Sequence, residues 1–298
     1  MIFPTEHLQV FPDGIAQTTI LRNITCPYCG NPISAQPSNK EHVVGRNFVP
    51  KGSLQKSWNL IVQAHVACNH FKSDLEDDLS AISLQPDVSG NHSRDDEALR
   101  QEAKRKGRSW NRMVGKRVHE SHTNIDLILS TEERAAIKLG ITGPPSTQPD
   151  RAFALAKMHL MAFWYLLTYD GADGSAGWWP GVYAPIEMAH RSDWGNDRFI
   201  WFMREAREWE MRLVTSFANG FYKVAIRKHP SAPIWSWAFE WNENIRLIGF
   251  SGDKEQIQSR TVPPLRHDHE FRNTKNDFLR IRLEKSLEST SDVLFAME

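Results

Sequence analysis

The sequence predicts an α+β protein in two parts, a compact module over residues 1–90 and a mixed helical and antiparallel-strand domain over 91–298. Three observations carry this. Between Cys26 and Asp74, short β-branched runs and polar loops give way to helical spacing. Asp150 to Tyr169 is apolar for several helical turns. Past Arg212 the apolar period changes from helical to two.

In chain order, residues 1–25 are short apolar clusters broken by Pro4, Pro12 and Gly14, expected to wrap the first module. Cys26 to Cys29 is a tight knuckle closed by Gly30. Lys40 to Val44 and Leu60 to Val62 read as strands, with a polar loop from Gly45 to Ser57 between them. A helix is predicted from Val66 to about Ile82, where Leu75, Leu79 and Ile82 share a face. Residues 84–93 are a turn-rich linker. Helices are predicted over Glu97 to Val118, from the Ser130-Thr131-Glu132-Glu133 capping box to Gly140, over 150–169, and from Asn196 or Asp197 to Arg212. Gly171 to Pro185 reads as loop. Antiparallel strands are predicted across 214–250, at Val214 to Arg227, Ile234 to Trp241 and Asn244 to Phe250, with turns at Asn219-Gly220, His229-Pro230 and Asn242-Glu243. Asn276 to Leu287 reads as helix.

Net charge is zero, so no whole-molecule field draws the chain to nucleic acid, and any such contact needs a local basic surface. Three cysteines are too few and of the wrong parity for a secreted disulfide framework. Met1 to Ile15 holds Glu6 and Asp13 and no apolar run, so no signal peptide is expected and a reducing, cytoplasmic location suits the thiols. The most apolar stretch contains Lys157 and His159 and reads as a buried helix, not a membrane span.

Cys26, Cys29, His65 and Cys68 form a Cys-x-x-Cys and a His-x-x-Cys pair and use every cysteine in the chain. Zn²⁺ takes four N or S ligands in this paired spacing, so the four predict a structural zinc that staples the loop to the start of the helix. Between the pairs lies Glu41-His42. Neighbouring side chains on a strand face opposite ways, which suits one residue holding a metal and the other handling a proton. An imidazole titrates near neutrality and can take a proton from water. Asn69, beside Cys68, offers a neutral oxygen to a divalent ion, and Lys72, one turn on, can meet a phosphate.

Taken together, the Cys-x-x-Cys, Glu41-His42-Val43, Asn59-Leu60-Ile61-Val62 and His65-x-x-Cys68-Asn69-x-x-Lys72-Ser73-Asp74 series resembles the HNH endonuclease family, over about residues 24–80. The resemblance implies a ββα-metal module and divalent-metal-dependent hydrolysis of phosphodiester bonds, most simply in DNA, in settings such as restriction, phage defence or mobile elements. It puts His42 at the general base and Glu41 at the acidic ligand of a catalytic Mg²⁺ or Mn²⁺. Asn59 falls at the residue that orients the base, Asn69 at the second metal ligand and Lys72 at the family's helix lysine. This chain departs from the pattern at Glu41, where Asp is usual, and at His65, where a third cysteine is usual. His70, next to Asn69, is an alternative ligand.

Beyond the module, Arg100 to Arg117 has many cations and only Glu102 against them. Lys104, Arg105, Arg108 and Arg112, with Arg46 near the Glu-His pair, are expected to contact a nucleic-acid backbone. Trp235, Trp237 and Trp241 share one face of a strand, as a buried face or as a base-stacking platform. The domain over 91–298 offers a surface for a protein partner or a homodimer. Two rival readings stand beside the nuclease: a non-catalytic zinc-ribbon binding module, and an effector subunit silent without a partner ATPase or sensor.

Overall fold

The computed structural model describes residues 9–11, 18–55, 57–87, 90–111, 115–130, 136–145, 148–177, 181–272 and 278–296. The elements of the first part are β1 (Gln9–Phe11), β2 (Thr18–Ile20), β3 (Ser38–His42), β4 (Asn59–His65) and α1 (Val66–Ser83). Then come α2 (Glu97–Gly107), β5 (Trp110–Asn111), β6 (Lys116–Arg117), β7 (His122–Ser130), β8 (Ala136–Pro145) and α3 (Pro149–Leu167). The last part holds β9 (Val182–His190), α4 (Asp197–Glu205), β10 (Glu210–Phe217), β11 (Tyr222–Lys228), β12 (Ile234–Trp241), β13 (Ile245–Gly252), α5 (Lys254–Gln258), β14 (His269–Arg272) and β15 (Phe278–Ile281). The fold is therefore mixed α and β, with five helices among the described residues.

β3 and β4 pair antiparallel, Glu41 opposite Val62 and His42 opposite Ile61, and β2 adds to β4 in parallel. The chain runs from β4 into α1 with no intervening loop. The other large sheet has the order β1-β10-β11-β12-β13-β9, antiparallel except for β1. β12 and β13 are buried along their whole length because both faces of the sheet are covered, with Ser236, Glu240, Arg246 and Ser251 as buried polar residues among the apolar ones. On one face, Trp235 packs edge-on against Trp164 of α3, at 4.5 Å between centroids, and Trp241 packs against His159 at 5.7 Å. On the other, Phe202 of α4 meets Phe250. The three tryptophans of β12 are thus core, each removing roughly 2–3 kcal/mol worth of apolar surface from water, and not a stacking platform. The same apolar core includes Val43, Phe48, Trp58 and Leu60 of the first part. Trp58 stacks on Phe163 of α3, 6.3 Å apart.

Several elements differ from those predicted. The basic helix predicted over 97–118 ends at Gly107. Glycine weakens the helix there, the run of like charges gives it no i,i+4 support, and Trp110–Asn111 pairs back on Lys116–Arg117. The helix predicted from Ser130 to Gly140 is a strand pair, Ile125 opposite Ile141 and Leu127 opposite Leu139. The alternating apolar residues, Ile125, Leu127 and Leu129 in one strand and Ile137, Leu139 and Ile141 in the other, override the capping signal, whose Thr131 to Glu133 lie outside the described residues. The helix predicted to Arg212 stops at Glu205 and β10 begins at Glu210. Val214 to Arg227 is two strands, reversed through Ala218, Asn219 and Gly220, all at positive φ. The loop predicted to Pro185 already belongs to β9; Pro185 is tolerated because β9 is an edge strand and the ladder slips beside it. Within the helix predicted over 276–287, Phe278–Ile281 is a strand. The apolar helix predicted over 150–169 is present as α3, and no helix among the described residues is long and apolar enough to cross a membrane.

Candidate metal and catalytic site

The knuckle forms because the Gly30 N–H bonds the Cys26 carbonyl at 2.8 Å, with Gly30 at φ +74°, a region open to glycine. The second pair sits at a junction: His65 is the last residue of β4 and Cys68 lies in the first turn of α1. The ligand atoms of Cys26, Cys29, His65 and Cys68 all lie within 4.8 Å of one another. A tetrahedral zinc site with bonds of about 2.3 Å has edges of about 3.8 Å, so the four fit such an ion in chemistry and in size. His65 Nδ1 lies 3.2 Å from Cys29 Sγ, and its Nε2 lies 3.0 Å from the Pro32 carbonyl. An Nε2–H donated to that carbonyl leaves the Nδ1 lone pair for the metal, the usual outer support of a ligating histidine. Burial raises Cys26; burial, then the neighbouring thiols, push Cys68 up to about 12. Burial also opposes Cys29 ionisation, but the Asn31 N–H and His65 outweigh it and hold that thiol low. A divalent cation reverses the mutual opposition of such thiols and favours the thiolates.

Glu41 and His42 end β3. The Glu41 carboxylate is buried against α1, with Oε1 2.6 Å from Lys72 Nζ, and Asn69 is within hydrogen-bond reach of it. Burial raises Glu41 above the ordinary carboxylate range, and Lys72 only partly offsets this. Asn69 Nδ2 also donates to Asn39 Oδ1 at 3.1 Å. His70, the alternative ligand, is exposed. The His42 ring has Asn59 Nδ2 3.2 Å from Nδ1 and Arg46 Nη2 3.3 Å from Nε2. Both neighbours are donors, and a neutral imidazole accepts at only one nitrogen. Asn59 is fixed by two further bonds, Nδ2 to the Val44 carbonyl and Oδ1 from the Leu60 N–H. Asn59 is thus held in place against the ring, and Arg46, on an exposed side chain, is the contact free to move. Burial lowers the His42 pKa, and the Arg46 and Lys72 charges lower it further, so the ring is neutral near pH 7.

The sequence reading expected Lys72 to reach a phosphate. The structure places it fully buried, between Glu41 and Glu76, whose Oε1 is 2.8 Å from its Nζ. Glu76 is the residue that the reading missed. The same Oε1 accepts from the Gly45 N–H at 2.9 Å and lies 3.4 Å from His159 Nε2; His159 Nδ1 in turn meets the Tyr222 hydroxyl at 2.9 Å. Burial alone would raise Glu76, but Lys72 and His159 bring it below its ordinary range. A Cβ at Gly45 would run into this carboxylate. Further along α1, Ser80 Oγ donates to the Asn47 carbonyl. Lys72, Glu76 and Ser80 thus form a buried polar stripe that clamps the segment following His42. Two signals were present in the sequence: the i,i+4 Lys72/Glu76 pair, and a histidine in the apolar run of α3 that needs a partner when buried.

Of the expected backbone-contacting cations, Arg46, Lys104 and Arg108 are exposed. Arg105 is held by Glu102 at 2.5 Å. Arg112 lies outside the described residues. α2 is joined to the site by Lys106, whose buried Nζ donates to the Asn47 carbonyl. No protein-family model, curated protein or solved structure matches the chain.

Proposed function

We propose that residues 24–83 are a ββα-metal module of the HNH kind, and that the protein is a divalent-metal-dependent endonuclease acting on DNA. The observation that carries this reading is one arrangement. A neutral, anchored His42 lies close enough to feel the Lys72 and Glu76 charges, and Glu41 and Asn69 meet at the same end of the hairpin beside a Cys₃His cluster. In this reading His42 accepts the proton of the attacking water. Glu41 and Asn69 would hold Mg²⁺ or Mn²⁺, which supplies charge neutralisation at the phosphate and at the leaving oxygen. Lys72 fixes the Glu41 carboxylate. Arg46, displaced from His42, pairs with the substrate backbone. Zinc would tie the Cys26–Cys29 knuckle to the end of β4 and the start of α1.

Plasmid nicking with and without added Mg²⁺ tests this. His42→Ala is expected to lower the rate by about 10²–10⁴ with an unchanged melting temperature. A folded His42→Ala protein that cleaves at the parental rate overturns the assignment.

One observation favours a second reading of the same site. Lys72 already neutralises Glu41 at 2.6 Å, as suits a nuclease held silent until a partner protein or a second copy docks on the 91–298 region. Cleavage that appears only with a co-purified partner favours it. Tight DNA binding without cleavage under any condition favours a binding module instead.

A further inference from the structure

A cavity of about 380 Å³ opens between α2, the residues Gln85, Pro86 and His92, and the turn at His119. It is separate from the Glu41–His42 site: Asn69 and Ser83 are at opposite ends of α1, roughly 20 Å apart at 1.5 Å per residue, and the cavity begins at Gln85, past the far end.

Its lining is cationic on one side and apolar on the other. Lys104 in the last turn of α2 and Arg108, its C-cap residue, both line the cavity, and among the described residues neither side chain is ion-paired. By contrast, Arg100 at the rim is neutralised by Asp95 and Glu97, and Arg105 by Glu102. Pro86 and Ala103 make the apolar wall. Gly107 leaves the floor open; a Cβ there would lie 3.4 Å from Gln85 Oε1. The His119 ring is pinned, with Nδ1 2.7 Å from the Gly107 carbonyl and Nε2 3.5 Å from Glu120 Oε1.

We infer that this cavity binds a 5′-phosphorylated nucleotide, its phosphate on Lys104 and Arg108 and its base against Pro86, Ala103 and the His119 ring. The size selects a single nucleotide: pockets of roughly 300 Å³ and above take small ligands, whereas a duplex does not enter. Two cations left unpaired among the described residues suit a dianionic phosphate ester, and a pinned flat ring beside an apolar wall suits a base. The nucleotide comes either free in solution or as the phosphorylated end of a DNA strand. The site does not depend on the nuclease reading, because neither source has to be cleaved.

Calorimetric titration without added magnesium tests it, using three probes: AMP, a 5′-phosphorylated single-stranded hexanucleotide, and the same hexanucleotide without the phosphate. At least one phosphorylated probe is expected to bind. AMP binding marks the free nucleotide as ligand, and binding of the phosphorylated hexamer alone marks a strand end. The Lys104→Ala/Arg108→Ala double variant is expected to weaken binding about tenfold or more, and Arg105→Ala less than about twofold. All three side chains are exposed, on α2 or at its C-cap, and equal melting temperatures confirm that the variants fold. Three results overturn the proposal: no phosphorylated probe binds, Arg105→Ala weakens binding as much as the double variant, or the unphosphorylated hexamer binds as tightly as the phosphorylated one.

Discussion

Lys72 is fully buried between two carboxylates, and its effect on stability is asymmetric. Removing it leaves the largely buried carboxylates of Glu41 and Glu76 without the ammonium that faces them both. Lys72→Met is therefore expected to destabilise the protein by about 3–5 kcal/mol, read as a lower denaturant midpoint at pH 7. A midpoint within error of the parent would show that the pair is not formed in solution. His159 makes a second testable residue. Burial first, only partly countered by Glu76, lowers its pKa to about 4. The unfolded chain, near 6.5, takes up its proton earlier as the pH falls. Stability from this group is complete above pH 6.5 and is lost as the pH falls toward 4, by about 3 kcal/mol in all. Glu76, with its lowered pKa, acts in the same direction at lower pH. Metal loss also weakens the fold in acid, so the informative quantity is a difference: between pH 6.5 and 4.5 the midpoint of His159→Phe is expected to fall less steeply than the parent's. Equal slopes would place the histidine in contact with solvent.

At the scale of elements, the junction of β4 with α1 depends on the Cys₃His cluster. The helix start has no side-chain cap at His65, whose ring is directed at Cys29 and Pro32 instead. Cys68→Ser is expected to lower bound zinc well below one ion per chain by elemental analysis and to depress the melting temperature, and a zinc chelator is expected to do the same to the parent. A chelated protein that melts unchanged would show that the thiols are structural without metal. The hairpin and helix of this part were legible in the sequence because their spacing is dictated locally: Cys26 to Cys29, the β-branched run at Leu60, and Leu75, Leu79 and Ile82 on one face of α1. The strand pair β7–β8 was not, because the polar Ser-Thr-Glu-Glu cap signal competed with an alternation whose partner strand lies further along the chain. The end of α2 at Gly107 was hidden for a similar reason: a glycine is tolerated inside many helices, and the pairing of Trp110 with Arg117 decides here.

At the scale of the molecule, the sequence suggested a boundary near residue 90, while the apolar core runs without interruption from Trp58 and Leu60 through α3 to β12. Polar contacts cross the same line: Asn242 Nδ2 donates to the Phe48 carbonyl, and the Ala218 N–H donates to Ser57 Oγ. A fragment ending at residue 90 would expose Trp58 and Phe48 and leave Lys72 and Glu76 without His159. It is expected to lack a cooperative thermal transition even with zinc bound, whereas the full chain shows one. A fragment that melts cooperatively would make the first part self-sufficient. The contacts of Phe48 and Ser57 with Asn242 and Ala218 have no local signature, because their partners lie about 160–190 residues further along the chain.

The carboxylate of Glu76 receives an ammonium from its own helix, an amide from the loop after His42 and an imidazole from α3, which stands on the sheet. Such a knot cannot be changed one strand at a time. Across related chains, positions 41, 45, 72, 76 and 159 should vary as a set: a neutral residue at 72 should travel with uncharged partners at 41 and 76, and a side chain at 45 with a shorter one at 76.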